Sequence, residues 1–332
     1  MVPASADLVL SVEDASGAKA LLLKAGTYAP SLGPEAVGAT LRDRVGVDLL
    51  AEPADWGLAP RGRRMLVFSR QGAGLSSPVR DATAARKKLA KWLGQSPRRA
   101  GRVAGGRLFT ASGREAAALL ASMARPSALP PALAAQAKGP LWLWMRLAEP
   151  LRAAVLSVEA SALGLIGTGV LEANGPILAG PAPAGCATGT ACLRAGVGSA
   201  GRDAVAVALE QLGIAAPAEL AAASRVELRL DSVEARQLSD ARSLRSALRI
   251  APEIDGAPSA GPSLEGRADL GEIDAALAPM TPLDALRGPL AGGAWAFHLL
   301  YGALLRNAGP LTISGDPQPG NRAAVRLRLP LR

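Results

Sequence analysis

Apolar residues alternate with small or polar ones through the middle of the chain. The alternation runs through Leu141-Trp142-Leu143-Trp144-Met145-Arg146-Leu147, then 153–160, then 163–171. Glu149-Pro150 and Ala160-Ser161 interrupt it, and Ala173-Asn174-Gly175-Pro176 closes it. A period of two over short runs bounded by turn residues predicts neighbouring antiparallel strands, so 139–180 is expected to form a central β-meander.

The N-terminal part reads as strand and helix in turn. Ala6 to Val12 is a first strand, 18–25 a helix with Asp14 or Ser16 as its cap, and Pro34 to Arg44 a second helix with proline suited to its first turn. Arg64 to Ser69 is a strand, and Gln71 to Ser77 a glycine-serine loop. Asp81 to Gly94 carries the clearest helix pattern: a capping aspartate, a stripe of Ala85, Leu89, Trp92 and Leu93, and a closing glycine. Two short segments around Gly105-Gly106 predict a hairpin, and Arg114 to Ala124 a helix.

The second part keeps this style. Ala191 to Val197 followed by 201–213 repeats the opening strand-turn-helix at a near-constant offset, which raises an internal duplication as one reading and chance as another. Arg225 to Asp231 is a strand with one wet face, and 251–262 a Pro/Gly-rich loop. Ser263 to Asp269 is a strand, and Glu272 to Ala278 and Pro282 to Leu286 are short helices. Gly292 to Ala308 is a helix apolar on most sides and so expected to be buried, and a hairpin ends the chain.

The expected fold class is therefore α+β: antiparallel sheets with helices packed on them. Its expected division is an N-terminal half (1–125), a Pro/Ala-rich joint (126–138) and a C-terminal half holding the meander (139–332), with two similar halves as a possibility.

Composition changes this picture only at the margins. With 332 residues, 49% hydrophobic, there is ample material for a core, and wholesale disorder is excluded. The net charge of +9 points towards an anionic partner. Yet lysine stands only at 19, 24, 87, 88, 91 and 138, and the arginine-rich remainder matches the codon bias of GC-rich bacterial genomes. No run of eighteen apolar residues predicts a membrane-spanning helix. The chain opens almost directly into a strand without a signal peptide. That fits either a cytoplasmic protein or an exported one whose leader has been replaced by Met1.

Candidate chemistry is sparse. Cys186 and Cys192, in GCATGTAC, either close a small disulfide ring in an oxidising compartment or remain two semi-buried thiols; the spacing argues against zinc. His298, the sole histidine, sits between Phe297 and Leu299 and reads as a core residue satisfied by one hydrogen bond. No catalytic set, metal site or cofactor site emerges. The order G-x-x-G-x-G at 164–169 lacks the features of a nucleotide loop, and Glu159 and Glu227 fall on strands where a solvated face is the default.

Arg86, Lys87, Lys88 and Lys91, with Arg98 and Arg99 in the following turn, form a basic group flanked by Arg80 and Arg102. It is a candidate patch for anionic lipid or an acidic protein, or else a solvated helix face; without interleaved aromatics, nucleic acid is not expected. Trp142 and Trp144 point to one face of a strand, a candidate apolar platform if exposed and core if covered.

Short segments resemble a loose group of uncharacterised exported bacterial proteins. They are Pro3-Ala4-Ser5-Ala6-Asp7, Gly46-Val47-Asp48-Leu49, Gly57-Leu58-Ala59-Pro60 and the terminal Gly320-Asn321-Arg322-Ala323-Ala324. The resemblance implies an α+β protein of the bacterial periplasm or outer envelope and transfers no catalytic residue. The function expected from the sequence is non-enzymatic, a subunit that binds or scaffolds another envelope protein. A carrier of lipid or another apolar ligand, held between the sheet and the Trp295 helix, is the alternative, and an enzyme of unrecognised type a third reading.

Overall fold

The structure, a computed structural model, describes residues 2–13, 15–28, 30–50, 54–139, 141–161, 164–183, 189–232, 234, 241–253, 261–281 and 289–331. The fold is α+β with antiparallel strand pairing. Two compact units are present, Met1–Leu147 with Ala154–Glu159, and Ala148–Ala153 with Ala160–Arg332. The stretch 126–138, expected as a joint, belongs to the first unit. Ser127 bridges to Val2, and Pro131–Gln136 forms a helix that buries Leu133.

The first unit runs β1 (Leu8–Val12), α1 (Ala15–Tyr28), α2 (Pro34–Val45), β2 (Arg64–Ser69), β3 (Gly72–Pro78), α3 (Ala82–Leu93), β4 (Arg99–Ala104), β5 (Arg107–Gly113), α4 (Ala116–Ala124), α5 (Pro131–Gln136), β6 (Leu141–Arg146) and the middle of β7 (Leu151–Ser161). Its strands lie in the order β7-β6-β1-β2-β3-β5-β4. Register fixes what each face holds. Leu10 and Val12 stand beside Leu66 and Arg64 of β2 and beside Leu143 and Leu141 of β6. Val9 and Ser11 stand beside Val67 and Met65 and beside Trp144 and Trp142.

Helices cover both faces. On the Leu10 face, Leu41 and Val45 of α2 and Leu89 and Trp92 of α3 pack with Leu66, Leu75 and Leu108. On the other face Met123 of α4 lies over Gly74, whose partner in register is Val67.

Local sequence explains these elements. Pro34 opens α2 and Gly46, in the left-handed region, ends it. The Asp81 carboxylate accepts from the amides of Thr83 and Ala84, and Ala85, Leu89 and Trp92 form the buried stripe of α3. Gly105 and Gly106, both at positive φ, make the tight turn between β4 and β5.

One expectation fails here. Residues 71–77, expected as a loop, fall almost wholly in β3, Gly72–Pro78. Its smallness is what lets it pair: a Cβ on Gly72 would stand 2.1 Å from the Ser112 carbonyl oxygen, while Ala73, Leu75 and Ser77 are buried. Asp14, one proposed cap of α1, lies outside the described residues.

The second unit contains β8 (Gly164–Ala173), β9 (Ala191–Gly196), α6 (Ser199–Gln211), β10 (Arg225–Leu230), α7 (Ala241–Ala247), β11 (Leu248–Glu253), β12 (Leu264–Ala268), α8 (Leu270–Leu277), α9 (Pro289–Asn307), β13 (Leu311–Gln318) and β14 (Arg322–Pro330). Strand order is β11-β10-β9-β12-β13-β14-β8. The stretch expected as a meander is present as three successive strands, β6, β7 and β8, and 164–169 lies in β8.

The units share a connectivity. In one, β3-β2-β1-β6-β7 are neighbours; in the other, β11-β10-β9-β12-β13. Each inner strand, β1 or β9, leads into a helix before its antiparallel partner returns.

Two further differences from expectation concern this unit. Glu227 is not on a solvated face: it pairs with the buried Arg194 directly across from it, at 3.2 Å. And α9 is not buried. Phe297, Leu299 and Leu300 are 43%, 60% and 49% exposed, because α9 packs chiefly on α8, through a small cluster of Ile273, Leu277, Met280, Ala294 and Trp295. The helix expected at 282–286 lies outside the described residues.

Candidate functional site

The sheet of the first unit and the two helices after β1 leave a gap. Its floor is the inward phase of three strands: Leu10 and Val12 of β1, Arg64, Leu66 and Phe68 of β2, and Leu141 of β6. Its roof is Ala18 and Leu22 of α1 and Val37, Thr40 and Leu41 of α2, with Ser31, Leu49 and Leu50 closing the sides. The result is a partly open cavity of about 370 Å³. That falls within the range of roughly 300–1,000 Å³ typical of small-molecule sites.

The packing of floor and roof frames the gap. Apart from Arg64, the floor strands present large apolar side chains at every second position, so most of the sheet surface here is hydrocarbon. The roof is held in place at its far end. Asp48, 3% exposed, receives the Arg42 guanidinium at 3.0 Å and the Leu50 amide at 3.0 Å, and sits against Gly38 of α2. Val45, Val47 and Leu49 anchor the same corner in the apolar cluster. The α2 helix is thus docked through its C-terminal half, over α3 and β5, where Thr110 donates to the Val45 carbonyl at 2.7 Å.

The lining is apolar except for Ser31, Thr40 and Arg64. Arg64 is 1% exposed. Its Nη2 donates to the carbonyl oxygens of Ala59 and Pro60, which ties it to the segment leading into β2. The sequence reading placed Arg64 at the start of a strand and gave it no role. The signal was there, in that Arg64, Leu66 and Phe68 share one phase of the alternation.

The residues singled out in the sequence are placed as follows. Trp142 and Trp144 are 2% and 9% exposed, on the sheet face opposite the cavity, so they are core and not a platform. Arg86, Lys87, Lys88, Lys91 and Arg98 are exposed on and just after α3. Arg99 departs from that group: it donates to the Trp92 carbonyl at 3.0 Å and stacks over the Trp92 ring at 4.9 Å. Cys192 is buried on β9 and bonded, not a free thiol; Cys186 lies outside the described residues.

His298 is a member of a set. Its Nδ1 lies 2.7 Å from Oδ1 of Asp274 on α8, and the other oxygen of that buried carboxylate receives Arg306 at 2.9 Å. The sequence reading missed Asp274, which lies 24 positions before its partner in the chain. Among the described residues no group of three or more His, Cys, Asp or Glu side chains could hold a metal ion, and no helix is long and apolar enough to cross a membrane.

No family model and no curated protein matches the chain. Among solved structures, crystal form IV of TP0453 is 14% identical over 50% of this chain and 76% of its own, with a TM-score of 0.29. Crystal form I of TP0453 is 13% identical over 73% of this chain and 92% of its own, with a TM-score of 0.30. Overlap at that level carries no functional argument.

Proposed function

We propose that the chain is a non-enzymatic carrier of an apolar small molecule, acting in the bacterial envelope, with the cavity of the first unit as its binding site. The observation that carries this reading is the cavity itself. An apolar occupant would cover hydrocarbon wall that otherwise faces water, which is worth roughly 25 cal/mol per Å² covered. The envelope assignment is supported by the bonded state of Cys192, which we pair with Cys186, since disulfides persist in oxidising compartments.

The reading differs from the sequence expectation in two respects. The carrier replaces the scaffold as the favoured role, and the site lies under α1 and α2, not beside Trp295. The scaffold role keeps one supporting observation, the exposed apolar side chains Phe297, Leu299 and Leu300 of α9.

The test uses dodecanol, a neutral single-chain probe, titrated into the full chain below its aqueous solubility limit. One-to-one binding is expected, lost in Leu66→Trp, which places an indole in the middle of the floor. Equal uptake by the parent and a folded Leu66→Trp would place the probe elsewhere and end the reading.

A further inference from the structure

Strand β4 ends the sheet of the first unit. It pairs with β5 on one side, and among the described residues no strand pairs with its other side. Register tells which backbone groups are left over. The Gly113 amide donates to the Arg98 carbonyl at 3.0 Å, and antiparallel ladders alternate bonded with unbonded pairs. Ala100, Arg102 and Ala104 therefore bond to β5, while Arg99, Gly101 and Val103 turn their amides and carbonyls outward. Among the described residues nothing hydrogen-bonds to those outward groups.

Proteins ordinarily blunt such an edge with a bulge, a proline or a cover, because it templates pairing with another chain. β4 has neither bulge nor proline, and its register with β5 is unbroken from Arg99 to Ala104. What it has is charge. Arg98 and Arg99 stand at its start, and Arg102 is exposed within it. Helix α3, whose Leu89 lies over Gly101, adds Lys87, Lys88 and Lys91 on its solvent side. Among the described residues none of these cations pairs with a carboxylate, and Asp81 at the start of α3 accepts from its own helix.

Charge decides between occupants. Two copies joined edge to edge, at some 4.8 Å between strands, would crowd their arginines together, and like charges across a ladder destabilise it. A strand carrying carboxylates meets the opposite field and gains the ladder as well.

We propose that β4 is a docking edge for an extended acidic segment of a partner protein, which joins the sheet as a further strand. Main-chain hydrogen bonds to Arg99, Gly101 and Val103 hold it, and Arg98, Arg102 and the α3 lysines select its charge. The inference stands apart from the carrier reading, since no residue of β4 lines the cavity, and either can fail without the other.

The probe is a capped Glu-Val-Glu-Val-Glu-Val-Glu peptide, fluorescently labelled and titrated into the full chain while anisotropy is read. The parent should bind it at least roughly tenfold more tightly than the matching Lys-Val peptide. A similar margin, roughly tenfold, is expected over the acidic peptide N-methylated at every residue, which keeps its charge and donates no backbone hydrogen bond. Amide exchange at Gly101 and Val103 should slow in the complex. Val103→Pro deletes one outward amide where an edge strand tolerates proline, and should weaken the acidic peptide about tenfold.

No binding of the acidic peptide, or equal binding of the basic one, would overturn the proposal. Equal binding of the N-methylated peptide would overturn it too, since no strand is then added. Binding of phosphatidylglycerol vesicles without binding of the peptide would make the cations a membrane surface and end it likewise. Undiminished binding by a folded Val103→Pro would place the peptide elsewhere. Because the N-methylated comparison is made in the parent, a failure of Val103→Pro to fold would not shelter the proposal.

Discussion

Replacing Gly57 by alanine should destabilise the first unit by several kcal/mol, and the structure says why. Gly57 stands at φ +65° between the Ala54–Trp56 turn and the bridge from Leu58 to Val79. Its carbonyl receives the amides of Arg80 and Asp81 at 2.8 and 2.9 Å, and Asp81 in turn caps α3. A Cβ at this position would lie 2.3 Å from the Asp81 carbonyl oxygen and 3.1 Å from the Ala84 Cβ. Two costs add. A left-handed conformation disfavours an L side chain by roughly 1–2 kcal/mol. Overpacking against backbone, which cannot swing aside as a side chain would, adds about 1–3 kcal/mol.

The sum is about 2–5 kcal/mol. Gly105→Ala separates the two terms. Gly105 stands at φ +57°, but its Cβ would meet nothing within 4 Å, so only the conformational cost of roughly 1–2 kcal/mol applies. The assay is urea denaturation followed by tryptophan fluorescence, in which Trp56 and Trp92 report directly because both lie in the apolar cluster beneath α3. A Gly57→Ala protein no less stable than Gly105→Ala would refute the packing of the Gly57 turn against the start of α3.

Other outcomes follow from single contacts. Asp81→Ala removes the side-chain acceptor for two amides of α3 and should cost about 1 kcal/mol by the same denaturation assay. Asp274→Ala leaves His298 and Arg306 without their shared carboxylate. Because Arg306 is more than half exposed, the loss should stay below the roughly 3–5 kcal/mol of a fully buried pair and appear as faster amide exchange in α8 and α9. Thiol titration of the denatured, unreduced chain should find no free cysteine; two would contradict the proposed Cys186–Cys192 bond. If the exposed basic face of α3 meets anionic lipid, then Lys87/Lys88/Lys91→Glu abolishes binding to phosphatidylglycerol vesicles; no binding by the parent would exclude lipid as the partner of that face.

Much of the fold was legible because its signals are local. Asp81 to Gly94 shows cap, stripe and closing glycine within one stretch, and Pro34 marks the start of α2 to the residue. The alternation of 141–147 and 225–231 likewise declares strands. What was not legible depends on partners far along the chain. The segment at 72–78 reads as a loop by composition, and pairs only because its small residues let β5 approach. The apolar pattern of α9 predicts burial, but a pattern states what a helix could cover and not whether anything is placed against it. The cavity is illegible for the same reason: Leu22, Val37 and Leu41 read as ordinary core positions. Only the docking of α2 through Gly38 and Asp48 shows that the space between them and Leu66 stays open. Arg64 could have been suspected, being the charged residue in the inward phase of an otherwise apolar strand.

The most direct measurement is native mass spectrometry of the full chain and of Leu66→Trp, each purified without detergent and offered dodecanol. The parent should carry one apolar molecule, copurified or taken up, and the folded variant none. A parent that remains empty under these conditions, with the variant indistinguishable from it, would show that the space under α1 and α2 is not a ligand site.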